Sequence, residues 1–142
     1  AARGPTFCAG ADLRWMKRTA EFSEAENLQD ASALAELLLV LDNLPKPTIV
    51  LVQGAAYAGG VGLICACDIA IAAHSARFAI TEVRLGLIPS VISPFVINTI
   101  GESYARRYFL TGERISSSRQ NGSGWCMKWY RTRRWRYAGK PS

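Results

Sequence analysis

The sequence predicts an α/β fold in a single domain. Its 142 residues are 49% apolar, which suits one domain and is too apolar for a disordered chain. Apolar residues recur at helical spacing between Glu24 and Asn43, and after Pro45 and Pro47 the run Thr48–Gln53 is rich in β-branched residues, as in a strand. Helices that alternate with strands along the chain are typical of α/β proteins.

The other elements follow from local patterns. Residues 3–7 predict the end of a strand that leads into the small-residue turn FCAGADL, and LICAC, after GAAYAGGVG, predicts a short buried helix. The helix over Glu24–Asn43 presents one apolar face, made of Leu28, Ala31, Leu34, Ala35, Leu38 and Leu41. Further along we predict strands over Asp68–Ala73 and Phe78–Ile80, a helix from Ser93 or Pro94 to Ile100, and a helix over Glu102–Leu110 that ends at Thr111–Gly112.

The uncharged stretch 47–67 is long enough to cross a bilayer. Pro47, Gln53 and the glycines at 54, 59, 60 and 62 instead predict a strand, a turn and a buried helix, and hence no membrane partner. The four cysteines, with Cys65 and Cys67 one residue apart, match neither a disulfide framework nor a zinc site. We therefore expect a reduced, cytoplasmic location.

Two glycine-bearing turns each precede a predicted helix, and they are the first candidate for a functional site. They are AGAD, which begins at Ala9, and AGGVG, which begins at Ala58. Small residues let the backbone approach a ligand, and the first N–H groups of a helix have no partner inside the helix. Two such turns that face each other could supply two N–H donors to one carbonyl oxygen. Close packing alone is the alternative explanation of these glycines.

Glu82 is the second candidate, because it lies between apolar residues ahead of a loop with Gly and Pro. A carboxyl group in apolar surroundings has a raised pKa and can transfer protons near neutral pH. The alternative is a salt bridge to Arg84 or Arg77. His74 has no Ser, Cys or Asp constellation around it, so we interpret it as a structural histidine.

Four sequence blocks in order resemble the crotonase (enoyl-CoA hydratase/isomerase) superfamily. They are FCAGADL, KPTIVLVQGAAYAGGVGLICACDIAIA, ARFAITEVRLGLIP and LTGERIS, and they lie within residues 4–117. The stretches VISPF, LRWM and LDNLPKPT are similar to the methylglutaconyl-CoA and isohexenylglutaconyl-CoA hydratases within that superfamily.

The resemblance implies a crotonase-like ββα spiral, with an oxyanion hole made by the backbone N–H groups of Ala11 and Gly59 and with Glu82 as the catalytic carboxylate. The substrate-binding residues that it implies are Ala11, Asp12, Leu13, Arg14 and Gly60. Coenzyme A arrives as part of the substrate, so no metal and no further cofactor is implied. Family members form trimers or dimers of trimers.

One position departs from the family pattern, because Gly62 stands where many hydratases carry a first glutamate. Only Glu82 is then left to handle protons, which suits a double-bond isomerase. The similarity to the glutaconyl-CoA branch favours a lyase that adds water to an α,β-unsaturated, branched or glutaconyl-type acyl-CoA.

The basic character of the chain lies in its last 24 residues. Residues 1–118 hold ten Lys or Arg against eleven Asp or Glu, whereas residues 119–142 hold seven basic residues and no acid. Three Trp and two Tyr lie among these cations, so an inert fragment with a nucleic-acid-binding tail is the alternative from another class. It predicts salt-sensitive binding that is lost when residues 119–142 are deleted.

Our preferred interpretation divides the chain into a crotonase-like core fragment, 1–118, and a tail, 119–142, that is frame-shifted or disordered. When codons for Gly124–Arg131 are read from the third base of the first codon, they can encode Leu-Val-His-Glu-Val-Val-Pro. This sequence is similar to a strand of the family. Stop codons in that frame of the DNA would disprove the frameshift. We also expect the family's first strands and its C-terminal helical region to be missing.

Overall fold

The structure is a computed structural model that describes residues 1–117 and 125–130. It has mixed helix and strand, as the sequence predicts. The helices are α1 (Leu13–Thr19), α2 (Glu24–Asp42), α3 (Gly59–Cys65), α4 (Ser93–Ile100) and α5 (Glu102–Thr111), with a 3₁₀ turn at Glu82–Leu85. The strands are β1 (Ile49–Val52), β2 (Ala55–Tyr57), β3 (Ile69–Ala73), β4 (Arg77–Ala79), β5 (Ile115–Ser116) and β6 (Trp125–Tyr130).

Local signals set the ends of the helices. At the start of α2 the Ser23 side chain accepts a hydrogen bond from the Glu26 N–H, and the Glu26 carboxylate accepts one from the Ser23 N–H at 2.8 Å. This reciprocal pair satisfies two N–H groups that the helix itself cannot use. At the other end of the chain, α5 stops at Gly112, whose φ of 56° suits a glycine.

The strands form two three-stranded sheets. One has the order β1-β3-β6, with β1 parallel and β6 antiparallel to β3. The other has the order β2-β4-β5, with β2 parallel and β5 antiparallel to β4. Cys8 adds an isolated parallel bridge to Ala56, on β2. The predicted strand end near residues 3–7 therefore lies beside the second sheet.

Helix α3 packs between two hydrophobic clusters. Val61 and Cys65 belong to a cluster with α4 and with Ile80, whereas Ile64 belongs to a cluster with β1 and β3. Because α3 contacts apolar residues on both sides, it carries no charged residue and is rich in glycine and small side chains. It starts at Gly59, four residues before the predicted LICAC helix, and ends at Cys65, so Ala66 and Cys67 of that stretch lie outside it.

The predicted apolar face of α2 is only partly buried, which corrects the sequence prediction. Leu38 is fully buried and Leu41 packs against the first cluster, but Leu28 is 67% exposed and Leu34 is also exposed. The C-terminal half of α2 alone contacts the core. Helical spacing identifies the helix correctly but does not say how much of its length is covered.

Residues 47–67 form β1, β2 and α3, as the strand–turn–helix interpretation predicts. Among the residues that the structure describes, no helix is long and apolar enough to cross a membrane. Of the tail, only Trp125–Tyr130 are described, and they form β6. The boundary at residue 118 and the frameshift stay predictions, since most of residues 119–142 lie outside the described part.

Candidate functional site

Three parallel segments end at the same edge of the second sheet. Cys8 bridges to Ala56 in parallel, and β2 pairs with β4 in parallel with Tyr57 opposite Ala79. The AGAD turn follows the first segment, the AGGVG turn follows β2, and Glu82 follows β4. Because ligands of α/β proteins bind beyond the carboxyl ends of parallel strands, this edge is where a site is expected.

The two glycine-bearing turns lie side by side. A Cβ placed on Gly10 would lie 3.8 Å from the Cβ of Ala58, which is van der Waals distance. Hydrogen bonds hold the two segments together, since the Tyr57 N–H donates to the Cys8 carbonyl at 2.9 Å and the Cys8 N–H donates to the Ala55 carbonyl at 3.0 Å. The structure thus brings together the two turns that the sequence singled out.

Gly60, in the AGGVG turn, lies close to Cys8, the residue before the AGAD turn. A Cβ at Gly60 would lie 2.6 Å from the Cβ of Cys8 and 3.0 Å from its Sγ. A Cβ at Gly59 would meet no atom within 4 Å. Close packing, the alternative explanation of these glycines, therefore holds for Gly60, whereas no atom of the described chain lies where a Cβ at Gly59 would point.

The residue before α3 is held in an unusual backbone conformation. Ala58 has φ 50° and ψ −123°, in a region that favours glycine, and its N–H donates to the Ala79 carbonyl at 3.0 Å. Such strain in a non-glycine residue costs about 1–3 kcal/mol and is common at functional sites. In the described chain, no backbone carbonyl accepts a hydrogen bond from the N–H of Gly59 or of Ala11. Both N–H groups are therefore free to bind a ligand.

The other predicted substrate-binding residues lie at the start of α1. Asp12 is its N-cap, and its carboxylate accepts hydrogen bonds from the N–H groups of Arg14 at 2.7 Å and Trp15 at 3.3 Å. Leu13 is the first residue of α1, and Arg14 is exposed on it. The carboxylate of Asp12 thus has a structural task in this turn, and its contact with a substrate stays a prediction.

Glu82 begins the 3₁₀ turn after β4 and is half-buried. Its Oε2 is buried and has no hydrogen-bond partner within the described part of the chain. Burial raises the pKa of this carboxyl group, and backbone N–H groups of Glu82 and Thr81 oppose the shift. A carboxyl group with a raised pKa and one free oxygen can exchange protons with a ligand.

The alternative salt bridges of Glu82 do not form. Arg84 donates instead to the Gly112 carbonyl at 2.8 Å, and Arg77 donates to the carbonyls of His74 at 3.2 Å and Ala76 at 2.9 Å. These contacts direct both guanidinium groups to backbone oxygens. The salt-bridge alternative is therefore wrong, and the interpretation of Glu82 as a proton-transfer group stays a prediction. His74 is exposed, and its carbonyl serves as an acceptor.

Ile92 packs against Gly62, a contact that the sequence did not predict. A Cβ at Gly62 would lie 2.4 Å from Ile92 Cγ2, 2.9 Å from Ile92 Cβ and 3.5 Å from Leu38 Cδ1. Ile92, within the VISPF stretch, thus fills the space that a side chain at position 62 would need. A glycine inside an apolar helix away from any turn could have signalled this contact.

A small apolar cavity lies in the core. Its volume is about 50 Å³, and it is lined by Val52, Val61, Ile64, Cys65, Cys67, Ala70, Ala72, Phe78, Ile80, Val96, Thr99, Ile100 and Ile115. None of the predicted site residues lines it. Within residues 1–117 and 125–130, no three His, Cys, Asp or Glu side chains are grouped so that they could hold a metal ion.

This arrangement, an α/β fold with two free N–H groups and a half-buried carboxyl group at one sheet edge, agrees with comparisons to known proteins. Residues 1–126 match the sequence profile of the family Enoyl-CoA hydratase/isomerase. A crystal structure of an enoyl-CoA hydratase from Shewanella pealeana is 56% identical with a TM-score of 0.80, covering 81% of this chain and 43% of that chain. The enoyl-CoA isomerase/hydratase fer4 of Mycosarcoma maydis is 36% identical over 87% of this chain and 44% of its own length. Human mitochondrial methylglutaconyl-CoA hydratase is 42% identical over 58% of this chain and 24% of its own length.

The chain belongs to the enoyl-CoA hydratase/isomerase family and has the crotonase fold. The resemblance carried by the four sequence blocks is therefore confirmed, and a methylglutaconyl-CoA hydratase is among the relatives. The chain spans less than half the length of these three relatives.

Proposed function

We propose that this chain carries the oxyanion-binding and proton-transfer part of an enoyl-CoA hydratase. The reaction adds water across the double bond of an α,β-unsaturated acyl-CoA thioester. The observation that carries this proposal is the close approach of the two glycine-bearing turns. The N–H groups of Ala11 and Gly59 belong to those turns and donate to no backbone carbonyl among the described residues.

The chemistry follows from where charge develops. When the water oxygen bonds to the β-carbon, electrons move through the double bond onto the thioester oxygen, which becomes an enolate. Two preorganised N–H donors on that oxygen stabilise the transition state by about 3 kcal/mol each. Glu82 as a carboxylate takes a proton from the attacking water and, now protonated, gives that proton to the α-carbon, so the elements of water are added and the carboxylate is restored.

A single carboxylate also permits double-bond isomerisation, which is the second candidate activity. Its support is the contact of Ile92 with Gly62, which leaves no room for a side chain at position 62. In that reaction Glu82 would remove a proton from one carbon and return it to another, without uptake of water. Hydration stays the first proposal because of the similarity to the glutaconyl-CoA branch.

The acyl group in our proposal is branched or of the glutaconyl type, as in leucine breakdown. The support is the 42% identity to human methylglutaconyl-CoA hydratase. A trimeric assembly and a cytoplasmic location complete the proposal. The first is implied by the family resemblance and the second by the cysteine content.

The test compares the full chain with its Glu82→Gln variant on several 2-enoyl-CoA thioesters. Hydration is measured by the loss of the enoyl absorbance and by incorporation of the labelled oxygen of water into the product. Isomerisation is measured by conversion of 3-enoyl-CoA thioesters to 2-enoyl-CoA thioesters. We expect the variant to be slower by about 10²–10⁴-fold. Glu36→Gln, on the exposed surface of α2, is the matched control and should keep the parent rate. Equal hydration by Glu82→Gln and the parent chain would contradict the mechanism.

A further inference from the structure

Helix α3 presents two glycines, one turn apart, on the side that starts at the candidate site. Gly59 and Gly62 are three positions apart and therefore lie on the same helix face. A Cβ at Gly59 would meet no atom within 4 Å, whereas a Cβ at Gly62 would collide with Ile92. Since Cα–Cβ bonds point toward the N-terminus of a helix, the space that Ile92 occupies lies on the Gly59 side of Gly62.

The backbone around Ile92 is fixed at several points. Ile92 is the residue before α4, and its carbonyl accepts a hydrogen bond from the Val96 N–H at 3.1 Å. The next residue, Ser93, donates to the Pro89 carbonyl through its N–H at 3.0 Å and its hydroxyl at 2.6 Å. Ile92 is 2% exposed, and Leu38 also borders the space that a Cβ at Gly62 would occupy. Its side chain is therefore held as a rigid wall.

The same loop connects this wall to the proton-transfer group. Glu82 begins the segment that ends at Ile92, and the Leu87 N–H donates to the Glu82 carbonyl at 3.1 Å, which fixes the turn. Ile80, two residues before Glu82, and Val61, next to Gly60, pack in the same buried cluster as Ile92. Ile92 thus packs in the same buried cluster as residues that lie close in sequence to Glu82 and to Gly60.

We infer that Ile92 is a specificity-determining residue of this site. It closes the α3 face one turn after the Gly59 N–H, so it limits the bulk of the acyl group beside the reacting carbons and keeps any side chain at position 62 out. This inference rests on the proposed function. An apolar wall of fixed shape discriminates by size, and one methylene more or less changes kcat/KM by about 10–200-fold.

The experiment measures kcat/KM of the full chain and its variants for two thioesters, crotonyl-CoA and a branched 3-methyl-2-enoyl-CoA. Ile92→Ala should shift the ratio toward the branched substrate by at least about 10-fold, and Ile92→Val should shift it less. Val96→Ala is the matched control, because Val96 is equally buried in the same cluster but is absent from the atoms nearest to Gly62. Its ratio should stay within about 2-fold of the parent value.

A second readout tests the contact without turnover. Gly62→Ala should lower Tm. Gly62→Ala combined with Ile92→Ala should lower Tm by less than the two single changes added together, because the collision with Ile92 Cγ2 is removed and only the contacts with the Cβ of residue 92 at 2.9 Å and with Leu38 Cδ1 at 3.5 Å remain. Val96→Ala in place of Ile92→Ala should give simple additivity. Additive losses for both pairs would overturn the inferred contact.

The outcomes separate the two proposals. Unchanged substrate ratios in an Ile92→Ala variant that still hydrates thioesters would overturn the role of Ile92 and leave the proposed function intact. A parent chain that neither binds nor converts any enoyl-CoA would overturn the proposed function, and the role of Ile92 with it. A shifted ratio together with non-additive Tm values would support both.

Discussion

Replacing Gly60 by alanine should destabilise this chain, although alanine is the better helix former. In an open helix position the change would gain up to about 1 kcal/mol. At Gly60 the new Cβ would lie 2.6 Å from the Cβ of Cys8 and 3.0 Å from its Sγ, so α3 and the Cys8 segment must move apart. Overpacking of this kind costs about 1–3 kcal/mol. We expect the free energy of unfolding to fall by about 1–2 kcal/mol after the helix gain is subtracted.

The neighbouring Gly59 provides a matched control, because a Cβ there would meet no atom within 4 Å. Gly59→Ala should leave the free energy of unfolding unchanged or raise it by up to about 1 kcal/mol. Urea and thermal unfolding measure the difference in stability between Gly60→Ala and Gly59→Ala, which corresponds to about 6 °C in Tm. Adding Cys8→Gly to Gly60→Ala removes both opposing atoms and should recover part of the loss. A Gly60→Ala variant as stable as Gly59→Ala would refute the close approach.

Three further experiments test groups that are buried or half-buried. Ser117→Ala removes a buried hydroxyl whose single proton is shared between the carbonyl oxygens of Ala73 at 2.9 Å and His74 at 2.8 Å, so the free energy of unfolding should fall by about 1–3 kcal/mol. The exposed Ser32→Ala should change it by less than about 0.5 kcal/mol, and equal effects in urea unfolding would contradict this. Burial raises the pKa of Glu82, so its contribution to stability is present at low pH and is lost as pH rises through the folded pKa. The Tm gain of Glu82→Gln over the parent chain should therefore be larger at pH 8 than at pH 4, and equal gains would contradict the shift. Burial also raises the pKa of the Cys65 thiol to about 11, so mass spectrometry should find iodoacetamide on Cys65 only after unfolding, and rapid labelling of the folded chain would show that the thiol is accessible.

The helices were predictable because their signals are local. The apolar spacing between Glu24 and Asn43, the prolines that follow, and the glycine after α5 each act within a few residues. The pairing of strands was not predictable in the same way. The bridge between Cys8 and Ala56 joins segments far apart in the sequence, and nothing in either segment alone specifies the other.

The candidate site shows the same division between local and long-range information. The two small-residue turns and Glu82 could be identified from the sequence, since residue type and apolar neighbours were enough. Whether Glu82 is paired depends on Arg84, and the guanidinium of Arg84 binds the carbonyl of Gly112, 28 residues further along the chain. The contact of Ile92 with Gly62 is likewise set by how α3 and α4 pack.

The parallel bridge at Cys8 also has a consequence for the kinetics of folding. Until the N-terminal segment docks on β2, the Ala11 amide has no fixed distance from the Gly59 amide, even if α2, α4 and α5 have already formed. Pairings between distant segments are slow, because the entropy of closing the long loop is lost before any contact compensates for it. In a refolding experiment, the proposed binding of an acyl thioester should therefore return in the slowest phase, after most of the helical circular dichroism has recovered.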